Sequence, residues 1–344
     1  MNSLTPRLDR QSKSQCINGS CEYFQRGAAL PAPTPITLPT GGKDYSSIDR
    51  FLLEYQGLWN VAPTSEQSNT SPSSLSNVRR SILFSGDPQD ATAKLVMAQR
   101  VESIIAVEDS IPSNKLSIAL SVYSESATTV RCRILTADAE DDHSTQTEIY
   151  NQTLTITKGS WEDISFLSIP MSAMSANGYE IEMTLEDMDE FGAVKTHKIT
   201  GLRAWKSVND NVREFSGRGR DFTEELQLCQ RYYEKNQVEG QPLTNTFTDN
   251  TRAETQVFIS ANDGIKYGNK TAYAASKRTL AIVTLMGFNS GGVGLVHRQY
   301  YNAGGIDVVA ILFKNHEDGF AVRETANSVG YGKYTFNWTA DAEL

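Results

Sequence analysis

Apolar and polar residues alternate with a period of two over much of this chain, and no other feature constrains the fold as strongly. In "LSIALSV", which begins at Leu116, every second residue is apolar. In "YEIEMTLE", Ile181, Met183 and Leu185 share one face, and glutamates dominate the other. This alternation is typical of a β-strand with one face against a core and one in water. We therefore expect those glutamates to face solvent.

Short alternating segments with turn-rich connections such as "KGSW" predict an all-β fold. The expected architecture is a jelly-roll or β-sandwich domain that is closed by one short helix. A second, smaller β-sandwich domain follows. In its final strand, Tyr334, Phe336 and Trp338 share one face. We expect Trp338, like Trp161 in the first domain, to be a packing residue.

One amphipathic stretch interrupts the β pattern. "EELQLCQRYYEK" runs from Glu224 to Lys235 and places Leu226, Cys229 and Tyr233 on one helical face. We expect these three side chains to be largely buried against the first β domain. The expected domains are therefore an N-terminal arm at 1–15, a jelly roll at 16–222, a helical joint at 223–240 and a C-terminal β domain at 241–344.

Charge and hydropathy exclude some partners. The 344 residues carry a net charge of -9, whereas a protein that mainly binds nucleic acid needs a basic surface. No apolar run approaches the ~18 residues of a membrane span, so no membrane insertion is expected. The N-terminus has no apolar core of a signal peptide, so we expect free thiols at Cys16, Cys21, Cys132 and Cys229.

Motifs of catalysis and metal binding are missing from the sequence. It has no nucleophile elbow, phosphate loop or HExxH motif, so no catalytic residue and no cofactor is assigned. The acidic stretch "EDMDEFG" has carboxylates at Asp187 and Asp189, which faintly resemble part of a calcium loop. A solvated acidic hairpin is the favoured interpretation, and a bound cation is the alternative.

Aromatic residues in turns or at strand ends are candidates for carbohydrate binding, because sugar C–H faces stack on rings. The polar segment "HRQYYNAGG" and the turn "KNHEDG" add hydrogen-bonding groups, and their glycines allow close approach of a ligand. Packing within the core or between subunits is the alternative for each ring. The candidate ligand-binding residues are Trp59, Trp205, His297, Arg298, Tyr300, Tyr301, Asn302 and His316, with Tyr267 and Tyr273 as further rings.

Five stretches, in order, resemble one protein family. "ELQLCQRYY" resembles the signature that closes a carbohydrate-binding-module-like jelly roll in tail-fibre and appendage proteins of tailed bacteriophages and related prophages. "INGSCEYFQRG" with "YSSIDRF", "QRVES", "KGSWEDISFLSIP" and the final "YTFNWTADAEL" resemble other motifs of that family. The resemblance covers about residues 16 to 344. It departs at "LRAWKSVN", where the family usually carries Gln-Leu-Glu-x-Gly.

The resemblance implies a virion protein assembled in the host cytoplasm. It implies a receptor-binding fibre that attaches to host surface polysaccharide and acts by adhesion, without enzymatic chemistry. Related fibres are mostly homotrimers, in which weak contacts gain avidity. The N-terminal arm would attach to other virion proteins, which would place the loops of the C-terminal domain at the distal, binding end. A head-decoration or collar fibre with a purely structural role is the alternative, followed by a polysaccharide depolymerase.

Overall fold

The computed structural model describes two compact units of the chain, one up to Ser207 and one from Leu226 onward. In the second unit, several of these residues are described by their backbone alone. The described residues are 14, 16–21, 23, 35–45, 47–75, 78–106, 115–207, 222–235, 254–260, 265–268, 271–274, 277, 281–287, 295–300, 305–309, 311–316, 319–325 and 331–342.

The first unit contains a six-stranded and a five-stranded antiparallel sheet. In spatial order, the strands of the six-stranded sheet are β1 (Ile36–Thr37), β3 (Trp59–Ser68), β4 (Ser81–Pro88), β11 (Lys195–Ser207), β6 (Lys115–Ser124) and β9 (Trp161–Pro170). The strands of the five-stranded sheet are β2 (Leu52–Gln56), β5 (Lys94–Val101), β10 (Tyr179–Met188), β7 (Ala127–Ala139) and β8 (Asp142–Thr155). A four-residue helix, α1 (Ser103–Ala106), and a 3-10 helix (Ala173–Asn177) lie in the connections.

Consecutive strands cross from one sheet to the other, which confirms the predicted jelly-roll β-sandwich. The steps from β4 to β5, β6 to β7, β8 to β9 and β10 to β11 all change sheet. The alternating apolar residues of the sequence fill the space between the sheets. Ile82, Phe84 and Leu120 from one sheet, and Ile134 and Ile181 from the other, are fully buried in this core.

The acidic face of β10 differs from its prediction. Glu180, Glu182 and Glu186 lie on the side of the sheet away from the core, but all three are buried. Their neighbours explain the burial: long cationic side chains from β5, β7 and the segment before β2 lie against the carboxylates. Lys43 and Arg100 pair with Glu180 in this way.

A buried polar turn near the N-terminus is built from the stretch "INGSC". Asn18 is fully buried, and its side chain hydrogen-bonds to the backbone of Tyr23 and Asp49. Gly19 lies so close to β11 that an added Cβ would stand 1.9 Å from the carbonyl oxygen of Leu202. This turn is therefore part of the first unit. Of the predicted arm at 1–15, only residue 14 is described: the Ser14 hydroxyl accepts hydrogen bonds from the backbone of Cys16 and Ala204.

The predicted helix exists as α2 (Phe222–Gln230), and its burial only partly matches the prediction. Cys229 is buried as expected, but Leu226 is half-buried, and the side chain of Tyr233 lies outside the described residues. The chain passes into the second unit within this helix, at Leu226. Just after the helix, the backbone carbonyl of Tyr232 accepts a hydrogen bond from Ala342, which directly follows the last strand of that unit.

In the described part of the second unit, ten strands form one antiparallel network, in which the long last strand pairs with four others. Phe336 and Trp338 of that strand are buried, so the predicted packing role of Trp338 is confirmed. The strands are β12 (Tyr233–Lys235), β13 (Glu254–Ser260), β14 (Ile265–Gly268), β15 (Thr271–Ala272), β16 (Ile282–Gly287), β17 (Leu295–Tyr300), β18 (Gly305–Val309), β19 (Ile311–His316), β20 (Gly319–Thr325) and β21 (Tyr331–Asp341).

Candidate functional site

The outer face of the six-stranded sheet carries one row of side chains across five strands, which we call the aromatic row. Strand register places Glu66 of β3 opposite Leu83, Leu83 opposite Lys198, Lys198 opposite Tyr123, and Tyr123 opposite Trp161. The residues on either side of each member in β4, β11 and β6 point into the core, so the row faces away from it. All five side chains are half-buried.

Two rings form one end of this row, on β6 and the edge strand β9. The ring centroids of Tyr123 and Trp161 lie 6.0 Å apart, with their planes inclined by 53°. The Lys198 ammonium lies 5.3 Å from the centroid of Tyr123. Burial and the adjacent Glu125 carboxylate raise the pKa of the Tyr123 phenol, which keeps its proton and donates a hydrogen bond to Glu125 over 3.4 Å. The pair presents an uncharged aromatic surface beside a cation.

The two sides of the aromatic row differ in accessibility. On one side, Ser81 and Thr200 are buried, and their hydroxyls donate to the backbone carbonyls of Thr70 and Arg80. On the other side lies a half-buried row of hydroxyl-bearing residues, in which Thr64 is opposite Ser85 and Ser85 is opposite Thr196. The accessible strip therefore combines rings and one cation with a parallel line of small hydroxyl groups.

Carboxylates border the strip and are held by their own hydrogen bonds. Asp163, next to Trp161 on β9, accepts a hydrogen bond from Ser121. Glu125 accepts one from the backbone of Thr196 over 2.7 Å. At the far end of the row, burial raises the pKa of Glu66.

Two predicted candidates lie in the same sheet, and neither joins the aromatic row. Trp59 is half-buried: its ring lies against Gly86, contacts Tyr55 edge-on and packs against the core. Trp205 is opposite Ser117 and lies on the outer side of β11, but only 7% of it is exposed. Trp59 and Trp205 therefore do not form an open platform.

The candidates in the second unit lie on strands more often than predicted. His297, Arg298 and Tyr300 belong to β17, which is paired on both sides by β18 and β21. His316 is the last residue of β19. The expectation of a loop for these four residues is therefore wrong, because all four lie in paired strands. Tyr301 and Asn302 lie outside the described residues. Of the two further rings, Tyr267 is in β14 and Tyr273 is buried.

The acidic hairpin is neutralised by side chains of the protein. Asp187 accepts a hydrogen bond from Thr129 over 2.7 Å, and Lys158 pairs with Asp189 over 2.8 Å and with Glu190 over 2.9 Å. Lysine contacts hold the pKa of the Glu190 carboxyl down at about 2. In the described part of the chain, no three His, Cys, Asp or Glu side chains are grouped as metal ligands. No helix in that part is long and apolar enough to cross a membrane.

The outer face of the five-stranded sheet offers a second, differently built surface. Arg133 Nε and Lys43 Nζ each lie 2.7 Å from an oxygen of Glu182. Burial disfavours the charge on Glu182, but these contacts outweigh it and hold the pKa of its carboxyl below the ordinary value. Glu180, Glu182 and Glu186 of β10 are each engaged by cations, which makes this face a structural ion-pair network.

We expect Glu182→Gln to lower the free energy of unfolding by about 2 kcal/mol at neutral pH. The variant leaves two cations without the carboxylate that they share. Because both cations are partly exposed, the loss of stability should be smaller than for a fully buried ion pair. Urea unfolding measures the change. Glu148→Gln is the matched control: Glu148 also pairs with Arg133, but its side chain is 39% exposed. A control that loses as much stability as Glu182→Gln would contradict the assigned network.

The aromatic row was not predicted from the sequence. Trp161 was predicted to be a packing residue, and the structure corrects this prediction. Trp161 lies at the first position of β9 on the outer face. The signal was present in "LSIALSVYS", because Tyr123 follows Val122 and therefore falls on the face opposite the apolar residues. An aromatic residue on the polar face of a strand is the pattern that points to this surface.

No known family profile and no curated protein matches the chain. Among solved structures, one from work on carbohydrate-binding modules of the β-sandwich superfamily is 9% identical, with 45% of this chain and 57% of the other covered and a TM-score of 0.33. A putative sugar-binding protein from Bacteroides thetaiotaomicron is 8% identical, with 57% and 100% covered and a TM-score of 0.35. The enzymatically active domain of tailspike protein 4 of Bacteriophage CBA120 is 14% identical, with 46% and 19% covered and a TM-score of 0.31. The chain thus spans just over half of the first structure and about a fifth of the tailspike domain, and the likeness concerns the fold.

Proposed function

We propose that this chain is a bacteriophage fibre or appendage protein that binds host surface polysaccharide as a multivalent adhesin. The observation that carries the proposal is the aromatic row, in which Tyr123 and Trp161 lie half-buried side by side on one face of a β-sheet. The phage assignment rests on the family resemblance of the sequence. The mechanism is adhesion, and the site of adhesion is the outer face of the six-stranded sheet.

The chemistry of the strip suits a saccharide. The C–H face of a sugar ring packs on an aromatic ring, while its hydroxyls need hydrogen-bonding partners at the edge. Tyr123 and Trp161 supply the first requirement. The half-buried hydroxyls of Thr64, Ser85 and Thr196 lie on the neighbouring strands β3, β4 and β11 of the same face and supply the second. Since β-strands fix these positions, little conformational entropy is lost on binding.

Binding without catalysis fits the contacts of four carboxylates on the two outer faces. Glycoside hydrolysis needs one carboxylic acid that holds a proton and a second that is ionised, a few ångströms apart. On the outer face of the five-stranded sheet, Glu180 and Glu182 are engaged by cations. Beside the aromatic row, Asp163 and Glu125 accept hydrogen bonds from the protein itself.

A homotrimer is part of the proposal. One shallow strip of two rings gives a weak contact, and three linked copies would gain avidity when they engage the same surface. Sedimentation or native mass spectrometry of the purified chain should give three copies. A monomer at micromolar concentration would contradict this part. The candidate residues of the second unit, Tyr300 and Tyr301 above all, remain predictions for a further contact surface.

The decisive experiment compares Trp161→Ala with the intact protein in binding to an array of bacterial surface polysaccharides. We expect the variant to lose affinity about tenfold or more, since stacking on one ring is worth on the order of 1–2 kcal/mol. Tyr123→Ala should behave in the same way. Both residues lie outside the core and are only half-buried, so the melting temperature should change little.

The matched control is Phe191→Ala, which removes a ring that is 46% exposed and lies in the acidic hairpin, outside the aromatic row itself. Its affinity for the array should equal that of the intact protein. If the intact protein binds neither polysaccharide nor host cells, the purely structural role of a decoration or collar fibre replaces the proposal. Release of sugar from a bound polysaccharide would instead establish a depolymerase.

A further inference from the structure

Lys198 occupies the middle of the aromatic row. It lies on β11 between Leu83 on one neighbouring strand and Tyr123 on the other. Both sequence neighbours, His197 and Ile199, are buried, so the strand holds Lys198 firmly with its side chain on the outer face. Its ammonium rests 5.3 Å from the centre of the Tyr123 ring, at the edge of the proposed stacking surface.

The ammonium of Lys198 has no carboxylate within 4.0 Å among the described residues, whereas other lysines of the first unit do. Lys43, Lys94, Lys158 and Lys195 each form at least one ion pair, with nitrogen–oxygen distances of 3.0 Å or less. In a chain with a net charge of -9, acidic groups are plentiful. An unpaired cation on an accessible face is therefore a feature that a ligand can use.

The nearest carboxylates on this face do not serve as partners. Glu125 accepts hydrogen bonds from the backbone of Thr196 and from the Tyr123 hydroxyl. Asp163 accepts one from Ser121. Glu66 belongs to the same row, but lies two strands away from Lys198, which is roughly 10 Å. The positive charge beside the rings thus remains available.

We propose that the strip selects acidic polysaccharides, and that Lys198 binds the carboxylate of a sugar acid next to the sugar that stacks on Tyr123 and Trp161. This inference rests on the proposed polysaccharide binding and specifies its ligand class. Neighbouring strands lie ~4.8 Å apart, so Lys198 and Trp161 are separated by roughly 10 Å. That separation lets one ligand place adjacent sugars on the ring and on the cation. An ammonium–carboxylate contact of this kind is a charge-assisted hydrogen bond.

The test uses an array that pairs uronate-containing bacterial polysaccharides with the same polysaccharides after reduction of their carboxyl groups to alcohols. The intact protein should prefer the acidic form about tenfold, and added salt should reduce that preference. Lys198→Gln should lose the preference while it still binds the neutral form. Lys198→Arg should keep the preference, because it retains the charge.

Lys158→Gln is the matched control, because Lys158 is a lysine of the same unit that is already paired with Asp189 and Glu190. It should keep the preference of the intact protein. Equal affinity of the intact protein for acidic and reduced polysaccharides would overturn the inference and leave the proposed function standing. An unchanged preference in Lys198→Gln would overturn it as well. No binding to either form would overturn the proposed function itself, and the inference with it.

Discussion

Asn18→Ala is expected to lower the free energy of unfolding by about 4 kcal/mol, as measured by urea unfolding. The Asn18 side chain is fully buried and forms three hydrogen bonds to the backbone. Its amide nitrogen donates to the carbonyls of Tyr23 over 2.8 Å and Asp49 over 3.1 Å, and its oxygen accepts from the backbone of Tyr23 over 3.0 Å. Alanine removes all three.

Backbone conformation adds to the cost. Asn18 has a φ of 59°, in the left-handed region that asparagine tolerates better than alanine. Asn18→Gly separates the two contributions, because glycine accepts this conformation but makes no side-chain hydrogen bond. We expect it to be less destabilising than Asn18→Ala by about 1 kcal/mol.

The control for both variants is Asn151→Ala, which removes an exposed asparagine from β8. Its effect should stay within about 0.5 kcal/mol. If Asn18→Ala were as stable as this control, the buried turn would not hold the first unit together.

The same turn shows what three of the quoted sequence motifs do in the fold. Ile17 exchanges hydrogen bonds with Gln99 of "QRVES", with both distances at 2.7 Å. Gln99 also donates to the carbonyl of Arg50 in "IDRF", and Arg50 donates to the carbonyl of Arg100. Three motifs that are far apart in the sequence therefore meet in one buried polar cluster. They specify the fold, and none of these residues belongs to the aromatic row.

The fold was predictable because period-two alternation depends only on which face of each strand meets the core. Ile181 and Met183 show this, since both are buried as the pattern requires. The burial of Glu182 was not predictable, because it depends on Lys43 and Arg133, which come from other parts of the chain. Alternation within one strand contains no information about which cations lie beside it.

The candidate site was harder to predict for a related reason. A binding face needs side chains from several strands in register, and register is a property of strand pairs. Lys198, Tyr123 and Trp161 are separated by long stretches of sequence and become neighbours only through the order β11, β6, β9. Aromatic residues in loops are conspicuous in a sequence, but Trp161 on a strand resembles any core tryptophan until its pairing is known.

The stability of the protein should also fall between pH 6.5 and about pH 4, and one buried histidine should account for about 3 kcal/mol of the loss. His197 is fully buried on the core side of β11. Its Nδ1 lies 2.9 Å from the hydroxyl oxygen of Ser124, and its Nε2 has no hydrogen-bond partner among the described residues. The imidazole is therefore built into the core in its neutral form.

Burial is the main cause that lowers the pKa of His197 to about 4, from 6.5; Glu125 acts weakly in the opposite direction, and Lys195 adds to the lowering. In the unfolded chain the imidazole gains a proton as the pH falls through 6.5, while the folded protein stays neutral until about pH 4. Protonation thus favours the unfolded state over this interval. Above pH 6.5 the group contributes no pH dependence, and below about 4 its contribution is constant.

His197→Asn tests this assignment, since asparagine can place an amide near Nδ1 and has no proton to gain in this range. The comparison is the difference in unfolding free energy between about pH 7 and about pH 4, measured for both proteins in urea. Carboxylates titrate in both proteins and cancel in the comparison. The variant should lose about 3 kcal/mol less than the intact protein over this interval. Equal losses would show that His197 becomes charged in the folded core, which its burial and the unpartnered Nε2 argue against.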